Sequence, residues 1–361
     1  MATAGAAAFA TVYGLPLRAV AGDTDAALNA LLDKFFNANV DENPEQATSL
    51  GLDKGARAGL KARLTPRSAA EKARRHAEAK ARLAQLKGID RAGLSPASKV
   101  NYDTVAYQLT TSVDGSARFA YGDAGGRFTP YVISQLTGAY QQIPDFLDGQ
   151  HKIETAADAD AYLSRLEAFA TVMDEDLDRA RTDVGRGVVP PDFVLDLTMG
   201  QMKALRDQPA AQTVLVASLA KKLKAANVAG DHAARATAIV EQKVFPALDR
   251  QLAQVQSMRA KATSDAGVWK LPDGEAYYAA ALVAGTTTTL SPAEVHQMGL
   301  DQVADITSRL DVILKAQGLT QGSVADRLTA LGEDPKYLYP NTDEGREALI
   351  AQLNVEIDAI Y

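Results

Sequence analysis

Apolar residues recur at steps of three and four along most of the chain, which is the spacing of one face of an α-helix. Sustained alternation of period two is scarce, and the short run from Tyr131 to Ile133 is the best candidate for a strand. The pattern therefore predicts a mainly α protein with a large multi-helix body and little β structure. The clearest helical stripes are Leu28, Leu31, Leu32 and Phe35; Leu163, Leu166, Phe169, Met173 and Leu177; and Val303, Ile306, Leu310 and Ile313.

Several helix starts carry a capping box, in which a Ser or Thr side chain and an acidic side chain three residues later satisfy each other's backbone N–H groups. The runs that begin at Ser68, Thr155 and Ser291 all have this form. Pro246 lies inside an otherwise helical segment, so a kink or a break is expected there. The stretch 113–130 is rich in Gly, Asp and Ser and is predicted to be a long loop.

The first 21 residues resemble part of an export signal. Residues 2–17 are small and apolar, and residues 19–21 have the A-x-A form of a signal-peptidase site, but no Lys or Arg precedes Arg18. We interpret residues 1–21 as the remnant of a bacterial signal, of the twin-arginine type with its n-region missing. A loose N-terminal helix is the alternative. Export predicts a periplasmic or secreted protein, and no other segment is expected to span a membrane.

A helical stripe also runs to the C-terminal end of the chain. It consists of Leu349, Leu353, Ile357 and Ile360, and no glycine or proline stop follows before Tyr361. We expect this stripe to be partly uncovered, because its pattern is still running where the sequence stops. An uncovered apolar stripe predicts self-association through this helix.

Composition narrows the class of protein. Of 361 residues, 47% are hydrophobic but only 6% are aromatic, and much of the apolar content is alanine, which favours close-packed helices. The net charge of −7 argues against a nucleic-acid partner, since phosphate binding needs a concentrated basic surface. The chain has no cysteine, which excludes a thiol nucleophile and a cysteine-ligated metal.

No catalytic or metal-ligating constellation is predicted. The four histidines are far apart, and none begins an H-E-x-x-H motif, so each is interpreted as a surface or capping residue. Two charged runs, the basic one at 72–76 and the acidic one at 174–178, are interpreted as solvated helix faces. The histidines are His76, His151, His232 and His296.

Four segments, in this order, resemble the bacterial domain of unknown function 885 family, and together the likeness covers nearly everything after Asp23. The segments are Thr129–Ile153 (TPYVISQLTGAYQQIPDFLDGQHKI), Asp158–Phe169 (DADAYLSRLEAF), Trp269–Val303 (WKLPDGEAYYAAALVAGTTTTLSPAEVHQMGLDQV) and Tyr339–Asn354 (YPNTDEGREALIAQLN).

The resemblance implies a zincin-like metallopeptidase fold, export, a peptide substrate and zinc for the full-length protein. In this family the zinc motif has the form H-E-x-x-P-G-H-H and lies C-terminal to the segment that corresponds to Tyr339–Asn354. We therefore expect residues 22–361 to form a helical N-terminal part, truncated before the zinc-binding half, with no cofactor and no activity of its own. The competing hypothesis is a non-catalytic secreted α-helical binding or scaffold protein.

Five polar side chains in the family-like segments are candidates for shaping a substrate pocket, since such groups can hydrogen-bond an oxyanion or a peptide carboxylate. The alternative for each is that it packs a junction between helices. The candidates are Gln135, Tyr140, Tyr277, Tyr278 and His296.

Overall fold

The computed structural model describes residues 21–360, and the protein is mainly α there, with 14 α-helices and no β-strand in that range. The predicted fold class is therefore confirmed. The strand considered at Tyr131–Ile133 does not form. Only two isolated bridges occur near it, Asp123 with Thr129 and Ser134 with Thr137. The predicted signal remnant lies outside the described residues except for Ala21.

The chain divides into two compact units, residues 1–287 and residues 288–361. The described part of the first unit contains eleven α-helices. They are α1 (Ala21–Glu42), α2 (Pro44–Ser49), α3 (Ala69–Lys87), α4 (Pro96–Arg118), α5 (Ala139–Gly149), α6 (Ala156–Gly185), α7 (Asp192–Arg206), α8 (Val214–Ala225), α9 (His232–Ile239), α10 (Phe245–Arg259) and α11 (Gly274–Thr286).

Helix α6 is the centre of the main core of the first unit. Its predicted stripe is buried: Leu166, Phe169 and Met173 are fully inaccessible and belong to one cluster with apolar side chains of α5, α7, α8, α9 and α10. Burying each such side chain contributes roughly 1.5–3 kcal/mol. The capping box at Thr155 starts this helix as predicted, with Asp158 as the reciprocal partner.

A buried arginine ties the chain segment before α3 to this core. Arg165 of α6 is inaccessible to solvent, and its guanidinium donates to His151 Nδ1 (2.9 Å), Thr48 Oγ1 (2.7 Å) and the Arg63 carbonyl (2.9 Å). Because His151 accepts at Nδ1, its proton is on Nε2, which donates to the Asp158 carbonyl at 3.0 Å. Burial and the neighbouring Arg165 lower the pKa of His151 to about 4.

The expected disturbance at Pro246 is present. A π-helical turn, Val240–Val244, separates α9 from α10, and the proline occupies the first turn of α10. Proline has no N–H to donate and its ring crowds the preceding turn, and a wider turn relieves both problems.

The second unit contains α12 (Pro292–Ala316), α13 (Val324–Glu333) and α14 (Asp343–Ile360). Capping boxes start α12 at Ser291 and α13 at Ser323. Leu314, Arg327 and Gly345 are the buried residues of 288–360. The stripe on α14 is exposed, from 38% at Leu349 to 84% at Ile360, as expected. No helix within 21–360 is long and apolar enough to span a lipid bilayer.

Candidate functional site

The first unit contains an open cleft of about 770 Å³, within the size range of small-molecule and peptide sites. Its walls are formed by α1 to α6, the segment before α3 and the loop that follows α4. The lining is strongly polar. Its charged and titratable members are Glu42, Glu45, Arg67, Glu71, Lys72, Arg75, His76, Glu78, Arg82, Asp123, Tyr131, Asp176 and Arg179.

Several charges of the cleft lining are paired within the protein. Glu71 accepts from Arg74 at 2.8 Å and from Arg75 at 2.9 Å, and these bonds lower the pKa of Glu71 to about 2. Glu42 accepts from Arg82 at 3.0 Å. These paired groups have little unbalanced charge with which to attract an ionic ligand.

Two other cations of the lining converge on a single carbonyl. Lys72 Nζ and Arg179 Nη2 donate to the Gly122 carbonyl at 3.0 and 3.2 Å. Lys72 forms no salt bridge with any residue in 21–360, and the nearest carboxylate to Arg179 is Asp176 at 3.7 Å. Burial, and then the charge of Arg179, lower the pKa of Lys72. We call this region the Lys72 end of the cleft.

The interpretation of residues 72–76 as a solvated face is therefore wrong for part of the run. Lys72, Arg75 and His76 are only partly exposed and line the cleft, whereas Ala73 and Arg74 are exposed. The reason is the helical repeat: positions three and four apart share a face, and that face of α3 meets the loop after α4.

The acidic run at 174–178 is likewise not a uniformly solvated face. Asp176 is almost fully buried, and its Oδ2 accepts from the Ala139 N–H at 2.7 Å and from Arg67 Nη1 at 3.3 Å. Ala139 begins α5, so this carboxylate satisfies a free N–H group at the helix N-terminus. Burial raises the pKa of Asp176, and Arg67 opposes that rise. Its role is to hold α5 against α6 beneath the cleft.

The loop after α4 is shorter than the 113–130 predicted, because α4 continues to Arg118. Gly115 allows this: a Cβ there would lie 2.1 Å from the Ala124 carbonyl, so the loop packs directly on the last turn. Gly122 has φ of 55°, and a Cβ there would lie 2.3 Å from the Thr129 carbonyl. Glycine at both positions is what brings the Gly122 carbonyl to Lys72.

Two buried polar atoms in the cleft lining have no hydrogen-bond partner. They are His76 Nδ1 and the Tyr131 hydroxyl. Burial raises the pKa of Tyr131 to about 12, so the hydroxyl keeps its proton at neutral pH and can donate. Buried polar atoms are normally paired, so these two lack a partner that the described residues do not supply.

The structure brings two of the five pocket candidates together. Gln135 lies in the turn before α5, with its Oε1 buried and unpartnered. The Tyr140 hydroxyl is within hydrogen-bonding distance of the Ser134 carbonyl in that turn (2.8 Å) and of Gln201 Oε1 (2.7 Å). Neither side chain lines the large cleft.

The other three candidates lie elsewhere. Tyr277 is buried in an aromatic cluster, stacked on Tyr121 with ring centroids 5.2 Å apart and in edge contact with Phe128, and its hydroxyl has no partner. Tyr278 is half exposed on the same helix, and His296 is exposed in the second unit. The cleft residues Lys72, Tyr131 and Arg179 were not among the candidates. Tyr131 could have been chosen from the sequence, because it lies in the family-like segment Thr129–Ile153.

The histidines are not all surface residues. His151 and His232 are buried, the first against Arg165 and the second 3.7 Å from Asp160. Within residues 21–360, no group of three or more His, Asp or Glu side chains is placed to hold a metal ion. The described residues therefore do not fit a zinc site.

Residues 44–361 match the family described as "Bacterial protein of unknown function (DUF885)". The chain belongs to this family. It is also similar to the crystal structure of "the putative lipoprotein from Colwellia psychrerythraea", with a TM-score of 0.82 and 25% identity over 93% of this chain. The DUF885 chain spans only 59% of the length of that protein. No curated protein matches it.

Proposed function

We propose that this DUF885 chain is the substrate-binding, helical part of an exported zinc-dependent peptidase, with a zincin-like fold in the whole protein. In this proposal the zinc ligands belong to a part of the protein outside residues 21–360. The support is family membership together with a cleft large enough for several residues of a peptide. Location in the periplasm or outside the cell follows from the same proposal.

One observation carries the assignment of the substrate to the cleft. The family-like segment Thr129–Ile153 supplies a whole wall of it, combining hydrogen-bonding groups with apolar surface, as an extended peptide requires. The lining residues from this segment are Thr129, Tyr131, Val132, Thr137, Gly138, Gln142, Ile143 and Phe146.

The role of these residues is binding and orientation. Val132, Ile143 and Phe146 offer apolar contacts for side chains, while Tyr131 offers an O–H donor to a peptide carbonyl. Holding a scissile bond in a fixed place lowers the entropic part of its barrier, which is how a part without ligands for the metal contributes to the rate.

The test compares residues 1–361 with a longer version of the protein that includes an H-E-x-x-P-G-H-H segment. Both are incubated with zinc and a mixture of fluorogenic peptides, with and without a chelator. The proposal predicts chelator-sensitive hydrolysis by the longer version and none by the shorter. If the longer version binds zinc stoichiometrically but cleaves nothing, the alternative of a secreted binding or scaffold protein is favoured. Chelator-sensitive cleavage by residues 1–361 alone would contradict the proposed division of roles.

A further inference from the structure

At the Lys72 end of the cleft, Lys72 forms no salt bridge with any described residue, and the one ion pair of Arg179 is the 3.7 Å contact with Asp176. The ammonium of Lys72 has three N–H donors, and one acceptor is present for them, the Gly122 carbonyl at 3.0 Å. Arg179 shares that carbonyl, and its second donor reaches another carbonyl, that of Arg67, at 3.4 Å. The hydrogen bonds of both cations thus go to backbone carbonyls, and two of the three Lys72 donors have no acceptor.

The geometry points to a binding site for a carboxylate at this end, and we assign to it the free C-terminal carboxylate of a peptide. This assignment names one end of the substrate proposed above, and so rests on that proposal. A carboxylate would accept from the free donors of Lys72 and from the unpartnered Tyr131 hydroxyl, all on one cavity. Charge-assisted bonds of this kind are about twice as strong as neutral ones.

The groups that surround Lys72 include a histidine and two carboxylates. His76 lies one helical turn beyond Lys72, and its Nδ1 has no hydrogen-bond partner. Two carboxylates act on Lys72, Asp183 of α6 and Asp123 of the loop after α4. Asp183 accepts from the Gly122 N–H at 3.0 Å and from Arg186 at 3.1 Å. Both carboxylates favour the charged form of Lys72, but neither forms a salt bridge with it, so two of its three N–H donors remain open to a ligand.

The alternative explanation is that Lys72 has a purely structural role, because its hydrogen bond to the Gly122 carbonyl holds the loop after α4 in place. Loop anchoring, however, requires one donor, and the Arg179 guanidinium already provides it to the same carbonyl. It also leaves the buried Tyr131 hydroxyl and His76 Nδ1 without a function. A carboxylate ligand accounts for the free donors of Lys72 and the unpartnered Tyr131 hydroxyl together.

The experiment titrates ¹⁵N-labelled protein with N-acetyl-trialanine and, separately, with its C-terminal amide, following the amide signals of Gly122, Gly125 and Gly126. We expect saturable shifts with the free acid and at least about tenfold weaker binding of the amide. Lys72→Gln should weaken free-acid binding at least about tenfold, and Lys72→Arg should restore it. Lys80→Gln is the matched control, because Lys80 is exposed on the same helix outside the cleft and should change nothing.

Equal binding of acid and amide to the wild-type protein would overturn the inference, whatever the stability of the variants. So would Lys72-dependent binding of inorganic phosphate without binding of the free acid, since the site would then select another anion. A melting curve of each variant identifies loss of the fold. Hydrolysis plays no part in the titration. The two hypotheses can therefore fail separately. If a longer version binds the free acid but cleaves no peptide, the proposed function is wrong. If acid and amide bind equally, the carboxylate site is wrong.

Discussion

The two units use the same local signals for their helices but bury their apolar faces very differently. Helix α6 begins with a capping box at Thr155, and α12 begins with one at Ser291. In the first unit the stripe that follows is buried, with Leu166 at 0% exposure. In the second unit the equivalent stripe is open, with Val303 at 64% exposure.

The difference shows which property each sequence signal determines. A cap and a helical repeat are local, and they specify a helix in either unit. Burial depends on what faces the stripe, and residues 21–360 cover the stripes of α12 and α14 only slightly. Large apolar surfaces of this kind mark interaction sites in soluble proteins. Whether a second copy or another part of a longer protein covers them stays a prediction.

The largest expected contrast comes from one substitution made in both units. Leu166→Ala should lower the free energy of unfolding by roughly 2–5 kcal/mol, because it leaves a cavity in the core of the first unit. Leu353→Ala removes the same atoms from a side chain that is 46% exposed, and should cost less than about 0.5 kcal/mol. Urea denaturation of both variants measures this. A comparable loss from Leu353→Ala would mean that α14 has a core of its own.

A second contrast depends on pH and concerns His151. Its pKa is lowered to about 4 in the folded protein, from an ordinary value of 6.5, so the unfolded chain binds the proton more readily. The contribution of neutral, buried His151 to the free energy of unfolding is fully present above pH 6.5 and is lost as the pH falls towards 4. We expect the first unit to lose about 2 kcal/mol between pH 7 and pH 5 from this group.

The control for that experiment is His151→Gln, which keeps an acceptor for Arg165 but does not titrate. Between pH 7 and pH 5 the urea midpoint of His151→Gln should fall less than the midpoint of the wild type. The difference between the two decreases is the contribution of His151. Carboxylates and the other histidines are common to both proteins, so their effects cancel. Parallel pH profiles would show that His151 is solvated or that its bond to Arg165 does not form.

The smallest contrast uses the helix caps. Thr155→Ala should lower the stability of the first unit by about 1 kcal/mol, the typical worth of an N-cap side chain. Ser291→Ala removes the same kind of cap from α12, but the first unit has its own core and should unfold at an unchanged urea concentration. The fluorescence of Trp269, the single tryptophan and part of the first unit, reports that transition. A shift caused by Ser291→Ala would show that the two units unfold together.

The sequence was sufficient for the helical class and for individual helices, because caps and apolar repeats act over a few residues. The stripe at Leu163–Leu177 and the disturbance at Pro246 illustrate this. It was insufficient where burial comes from distant partners. Asp176 looks like one member of a solvated acidic run, yet it is buried because it faces the N-terminus of α5.

The cleft was harder to predict for the same reason. Lys72 and Arg179 are more than 100 positions apart and meet only because both reach the Gly122 carbonyl. Family-like segments directed attention to Gln135 and Tyr140, and the cleft is lined instead by their neighbours Tyr131, Thr137 and Gln142. A motif locates a segment, but the helical register decides which of its side chains faces a cavity.

Native-state hydrogen exchange tests the central comparison most directly. The account predicts that amides of α12 and α14 exchange faster than those in the middle of α6, on the order of a thousandfold, because opening them disrupts little buried surface. The regions to compare are 296–312 and 347–357 with 160–178, all in residues 1–361 at one protein concentration below any self-association. Equal protection of the three regions would contradict the account, since the second unit would then be held by a core as stable as that of the first.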